Sequence, residues 1–191
     1  MSSSEPRNQD SLNEVNPRNQ ISAFARIDGA KLGVLWIISF ALFVGNFHYP
    51  ICGIFWTATM VYTPFYVAIL TKRYADEVCG GKIRYFQAYL HSMLTVFYAS
   101  LILAIVQWAY FQYLDHGFII EQYLSALNDK KFAESFNSLG YSKDLITQLS
   151  EQIRKMRPID IAVQLLWSNM VAGMVMSLTT ALYASVNKRL K

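Results

Sequence analysis

The sequence predicts an all-α membrane protein of four transmembrane helices, with a helical extracytoplasmic loop between the third and the fourth. Three observations lead there. Apolar residues make up 53% of the 191 residues and charged residues 16%, against about 25% charged in an ordinary soluble domain. The apolar residues gather into four long runs, and two polar stretches, 1–31 and 115–158, separate them, so the mean hydropathy of +0.22 understates the runs. Lysine and arginine, finally, are spread unevenly around those runs.

The N-terminal stretch MSSSEPRNQDSLNEVNPRNQ is polar and holds no apolar core of the kind that marks a secretory signal. Residues 1–26 are expected to form a disordered cytoplasmic lead-in. The first span is expected at about 30–48, where the helix of the run Leu32–Phe47 extends back through Gly29-Ala30-Lys31 to the membrane boundary, and the Lys31 ammonium can reach the headgroups. The second follows at 51–70, after only His48-Tyr49-Pro50. Proline disfavours helix at the residue before it and lacks an N–H, so two helices joined by a tight turn are predicted. Pro64 removes one further backbone hydrogen bond inside the second helix.

The third span is expected at 86–114. Its length of about 43 Å, at 1.5 Å per residue, exceeds a hydrocarbon core of about 30 Å, so it must tilt or project. Tyr85, Phe86 and Tyr89 at one end and Trp108, Tyr110 and Tyr113 at the other suit the membrane interface. The fourth is expected at 159–186, with Pro158 in its first turn and Asp160 near the positive end of its dipole. The loop 115–158 reads as amphipathic helices Phe118–Leu127, Lys130–Leu139 and Ser142–Met156, with Gly140 as a terminator and Ser142 as a cap. Leu145, Ile146, Leu149, Ile153 and Met156 form one apolar face, suited to the membrane surface or to the protein's own helices.

Orientation follows from the basic residues. Eleven lysines and arginines fall before the first run, between the second and third, and after the fourth, with none in the tight turn. The long loop holds six, balanced by six acids. The positive-inside rule then places both termini in the cytoplasm and the long loop outside.

Within the spans, Asn169, Gly173, Ser177, Ala181 and Ser185 recur every four residues on one face of the fourth helix. Small residues let a second backbone approach closely in lipid, and Ala41 and Gly45 offer a counterpart on the first helix. The alternative reading of such a stripe is a substrate path, joined by the intramembrane polar residues Thr57, His91, Gln107 and Gln164. No Asp, Glu, Lys or Arg is expected in the core of any span, and His91 reads as an interfacial histidine. Cys52 and Cys79 fall at opposite ends of the second helix, about 40 Å apart at 1.5 Å per residue, too far for a disulfide.

No motif for zinc, nucleophilic or phosphate chemistry is present. His48, Cys52, Asp115 and His116 are metal-ligand types without a ligand spacing. Accordingly no catalytic residue, cofactor or metal is expected. The net charge of +4 forms no basic stripe with interleaved aromatics, which argues against nucleic acid and for lipid headgroups as counter-charge.

From Gly80 the chain reads GGKIRYFQAYLHSMLTVFYASLILAIVQWAYFQYLDHGF: paired glycines, a basic-aromatic approach with a glutamine, a long apolar helix and a Tyr-x-Asp-x-x-Phe exit. This pattern, with Gly173, Ser177, Leu178, Ala181 and Lys188 near the end of the fourth run, resembles the bacterial, mainly Bacteroidetes, membrane family of domain of unknown function 4199. The resemblance covers about residues 27–188. One departure stands out: the family pattern has proline after the exit aspartate, where this chain has His116. The resemblance implies four spans, a long loop between the third and fourth, and an inner-membrane location. Members are encoded near a glycosyltransferase acting on lipid-linked sugars, which implies a candidate partner and no chemistry.

The functional expectation is therefore a non-enzymatic inner-membrane scaffold or accessory subunit, embedded in the bilayer and associating with itself or a membrane partner. The alternative is a small-solute transporter or channel subunit.

Overall fold

A computed structural model describes residues 17–127, 129 and 143–186. The described chain is all helical: α1 (Pro17–Asn46), α2 (Pro50–Glu77), α3 (Tyr85–Tyr113), α4 (Phe118–Leu127), α5 (Lys143–Arg154) and α6 (Pro158–Val186). Four of these, α1, α2, α3 and α6, are long and apolar enough to cross a membrane, and the shorter α4 and α5 lie between the third and fourth spans. The expected helix Lys130–Leu139, its terminator Gly140 and the cap Ser142 lie outside the described residues.

One expectation is corrected at the start of the chain. Residues 17–26 are helical, within the stretch read as disordered, and the candidate span on α1 runs from Gln20 to Asn46. The reason is packing on one face. Ile21, Ala25, Asp28, Leu32, Trp36 and Ser39 are buried, at spacings of three and four, so the seam of the first span continues back past Lys31.

The α1–α2 turn is as short as the proline implied. The Gly45 carbonyl accepts from His48 N–H (3.0 Å) and Tyr49 N–H (2.8 Å), and Pro50 opens α2. Glycines make room for it: a Cβ on Gly45 would meet Cys52 Sγ at 3.2 Å, and one on Gly53 would run into the Asn46 amide. Further along, Trp36 Nε1–H donates to Thr63 Oγ1 (3.3 Å), tying the two helices where both are buried. Both cysteines are free and half-buried.

Two compact units divide the chain, one from Met1–Ser100 with Met170–Lys191, the other from Leu101–Asn169. In the first, α1, α2, the N-terminal half of α3 and the C-terminal half of α6 contribute one narrow buried face each. Two close approaches define it. A Cβ on Gly29 would lie 2.6 Å from Tyr98 Cβ and 2.9 Å from the Thr95 carbonyl oxygen, so α1 and α3 nearly touch backbone to backbone. A Cβ on Gly173 would overlap Val96 Cγ1 and lie 3.1 Å from Val96 Cβ, so α6 closes on α3 at that level.

In the second unit, α4 packs on α5. Asp115 is buried, and both its carboxylate oxygens accept from Ile119 N–H (3.1 and 3.4 Å), satisfying a donor in the first turn of α4. The exit turn before it has His116 at φ 49° and Gly117 at φ 88°. Proline, whose ring holds φ near −65°, cannot take the place of His116 in this turn. Asp160 accepts from the Arg157 backbone N–H (3.0 Å) while its carboxylate and the guanidinium pair through two 3.0 Å bonds. That pair holds the guanidinium above its ordinary range, chiefly through the hydrogen bonds.

The close approaches predict the cost of filling them. Gly173→Leu should lower the thermal stability of the purified protein by about 1–3 kcal/mol, as overpacking commonly does. Gly29→Leu should cost more, because it meets backbone atoms that cannot rotate away. Val175→Leu, at a 62% exposed position on another face of α6, should leave the melting temperature unchanged. Equal melting temperatures for all three variants would show that neither contact forms.

Candidate functional site

The sequence leads one to expect no charge in the core of any span, and the structure buries one just before the expected start of the first, at Asp28 of α1. Its side chain is 1% exposed, on the apolar face of α1. It is held there by the Gly29 contact one residue on, which presses this turn of α1 against α3. Around it lie charges and hydroxyls from all the helices of the first unit.

Asp28 Oδ1 accepts from Arg73 Nη2 of α2 (3.2 Å) and from Lys31 Nζ (3.4 Å). These cations are 41% and 40% exposed, so they link the buried carboxylate to the surface. Arg73 also pairs with Glu77, four residues on, at 3.3 Å; that pair is half exposed and contributes at most about 1 kcal/mol. Asp28 Oδ2 faces His91 Nε2 of α3 at 3.5 Å, and neither atom has a hydrogen-bond partner among the described residues.

His91 is fully buried. Its ring lies parallel to that of Tyr74, with centroids 4.3 Å apart and planes 6° off. Its Nδ1 faces Thr71 Oγ1 at 3.4 Å. From there a line of hydroxyls runs through Ser92 Oγ (2.8 Å from Thr71) to Thr180 Oγ1 of α6 (3.2 Å from Ser92). Thr180 Oγ1 also reaches its own helix at the Ser177 carbonyl, 3.1 Å away. Each step joins two helices or returns to one, so the cluster crosses α1, α2, α3 and α6.

The sequence-predicted residues are placed as follows. Gly173, Ser177 and Ala181 are buried, and Asn169 and Ser185 are half-buried, so the small-residue face of α6 is turned inward. Ala41 is exposed and does not serve as the packing counterpart proposed for it; Gly45 instead faces Cys52 within the hairpin. The approach to α3 is made by Gly29, which lay in the segment assigned to the membrane boundary. Of the polar candidates, His91 joins the cluster and is buried rather than interfacial. Gln107 is buried in the second unit, with no partner at Oε1 among the described residues. Thr57 and Gln164 are exposed, and the Thr57 hydroxyl donates to the Gly53 carbonyl of its own helix (2.8 Å). Among the described residues no group of three or more His, Cys, Asp or Glu side chains is positioned to hold a metal.

Asp28 was missed because Arg26, Lys31 and the polar residues before it make its neighbourhood look like a flank. One signal pointed to it: it falls on the same three-four seam as Ile21, Ala25 and Leu32. A polar residue on an apolar seam needs a partner, and Arg73 lies 45 residues away in sequence.

The cluster predicts an asymmetry in mutant stability. Asp28→Ala strands His91 and should destabilise the fold by about 3–5 kcal/mol, the usual cost of breaking a buried pair from one side. Replacing both partners, Asp28→Leu with His91→Leu, should recover a good part of that loss, because no buried polar atom is then left facing another. Thermal melting in detergent distinguishes the two, and a double variant as unstable as the sum of its singles would contradict the pairing.

Neither curated proteins nor solved structures give a match to this chain. The family comparison does: the model described as a protein of unknown function (DUF4199) matches residues 28–184, from the buried aspartate to the last turn of α6. The chain therefore belongs to the DUF4199 family, as a multi-pass membrane protein with four candidate spans.

Proposed function

We propose that the protein is a non-enzymatic accessory subunit of the bacterial inner membrane, with both termini cytoplasmic, that works by packing against a membrane partner or a second copy of itself. One observation supports this best. None of residues 50–62, the N-terminal half of α2, is buried, and Ile51, Ile54, Phe55, Met60, Val61 and Tyr62 are all exposed. The two threonine hydroxyls there are already satisfied: Thr57 and Thr59 donate to the Gly53 and Phe55 carbonyls at 2.8 Å. The surface is thus apolar and aromatic, suited to helix contact in lipid. A glycosyltransferase acting on lipid-linked sugars is one candidate for the partner, by the family's gene neighbourhood alone.

A second reading, a transporter or channel subunit, draws on Asp28. Ionisable side chains within membrane spans commonly mark ion or substrate paths. Flux through vesicles holding the purified chain alone would favour this reading over the first.

Two experiments test the proposal. A photo-reactive side chain at Phe55 should give a protein adduct in native membranes, whereas one at Val175, equally exposed on α6, should label lipid. Lipid labelling at both sites would remove the basis for an interface on α2. Reporter fusions at Lys191 and Asn137 should show opposite sidedness, as the basic residues require. The same sidedness at both would put the termini on different sides or remove the fourth span.

A further inference from the structure

We propose that Lys31 and Arg73 form a binding site for the phosphate of an anionic phospholipid, at the end of the first unit opposite the α1–α2 turn. The site is independent of the partner proposed above and of the side of the membrane that this end faces. It rests on how Asp28 holds the two cations.

Helix length places the pair at a headgroup layer. At 1.5 Å per residue, Asp28 lies about 27 Å along α1 from Asn46, and Arg73 about 35 Å along α2 from Pro50. A hydrocarbon core of about 30 Å falls between these lengths, so when the turn stands at one boundary the pair stands at the other. The charges agree. Between Arg26 and Arg84 the chain has six basic and three acidic residues, and none of them lies between Lys31 and Lys72. All are gathered at this end, with an excess of positive charge.

Side-chain direction brings the two cations together. Cα–Cβ bonds tilt toward a helix's N-terminus, so Lys31 leans away from the turn along α1 and Arg73 leans back toward it along α2. They meet at Asp28 Oδ1, at 3.4 and 3.2 Å. Because both reach one oxygen, they stand no farther apart than twice the longer distance. Two like charges so close would separate if left alone. The carboxylate that prevents it is 1% exposed and fixed between helices, so the spacing of the cations is set from inside the protein.

Both cations keep donors for a ligand from outside. The contacts among the described residues use Nη2 and Nε of Arg73 and one ammonium proton of Lys31. Nη1 and two ammonium protons remain, on side chains 41% and 40% exposed. A phosphate is the acceptor that fits them. Its oxygens take charge-assisted bonds of about 2.7–2.9 Å, and it can bridge a guanidinium and an ammonium held side by side. Basic pockets between transmembrane helices take anionic headgroups in this way. Glu77, 3.3 Å from Arg73 Nε, competes for the guanidinium from the surface. A purely internal latch would need one cation on Asp28 Oδ1. The second, half out of the protein, goes beyond that requirement.

The test uses the purified full-length chain in uncharged detergent, with phosphatidylglycerol as the probe and phosphatidylcholine as the control. Native mass spectrometry reads how much of each lipid stays bound. The parent should retain a single phosphatidylglycerol and release phosphatidylcholine. Lys31→Gln should weaken retention about fivefold, the worth of one cation near a charged membrane surface, and Lys31→Arg should restore it. Lys72→Gln, at an exposed position beside Arg73, should change it less than about twofold, and Glu77→Gln should strengthen it by releasing Arg73. Equal losses for Lys31→Gln and Lys72→Gln would reveal a diffuse positive surface and overturn the site. Displacement of the lipid by millimolar inorganic phosphate would make free phosphate the ligand and overturn the assignment to lipid. If Lys31→Gln does not fold, Glu77→Gln decides: retention no tighter than the parent's overturns the proposal.

Discussion

A carboxylate enclosed among apolar helices must be compensated where it stands, because the surroundings offer no water to do it. Asp28 sets that condition for the first unit. Its compensation comes from three directions: two half-exposed cations on one oxygen, an imidazole opposite the other, and the close fit of α1 on α3 at Gly29 that brings them together. Moving α2 or α3 outward would take Arg73 or His91 away from the buried carboxylate. The helices are thereby tied at the end where basic residues gather, and the α3–α6 approach at Gly173 continues the same packing.

Away from that cluster the demands are those of lipid. Backbone polar groups close within the helices, and threonine hydroxyls exposed to the bilayer turn back to carbonyls of the preceding turn, as at Thr57 and Thr59. Apolar side chains can then face outward without penalty, as the large exposed ones on α6 do. Hydrophobic burial cannot select one helix arrangement when lipid is as apolar as leucine. Selection falls to polar pairs and to close contacts between small residues, and both occur on the faces that meet.

The connections between helices are settled by local chemistry. Three residues suffice between α1 and α2 because Pro50 can begin a helix while Gly45 and Gly53 let the two backbones approach. After α2 the paired glycines serve as a stop: Gly80 and Gly81 take φ of 57° and 80°, and the Gly81 N–H closes onto the Ala75 carbonyl at 2.8 Å. The exit from α3 takes its own form, with His116 and Gly117 both left-handed at φ 49° and 88°.

The sequence by itself determined the class of protein, the number of long helices and most of their ends, because chain-local properties decide these; the second helix, expected to stop at 70, runs on to Glu77 and so carries Thr71, Arg73 and Tyr74 to the cluster. Hydrophobic length specifies a span, and proline and glycine mark its limits. Thus α3 and α6 begin within one residue of the expected positions. The inward turn of Gly173, Ser177 and Ala181 was visible in their four-residue spacing. Tertiary structure alone decided which helix that face would meet, that Ala41 would face outward, and that α1 would reach back to Pro17. It also decided the fate of Asp28. A charge near a span end can turn to the headgroups or inward to a partner, and only the arrival of Arg73 and His91 from other helices makes the inward choice stable.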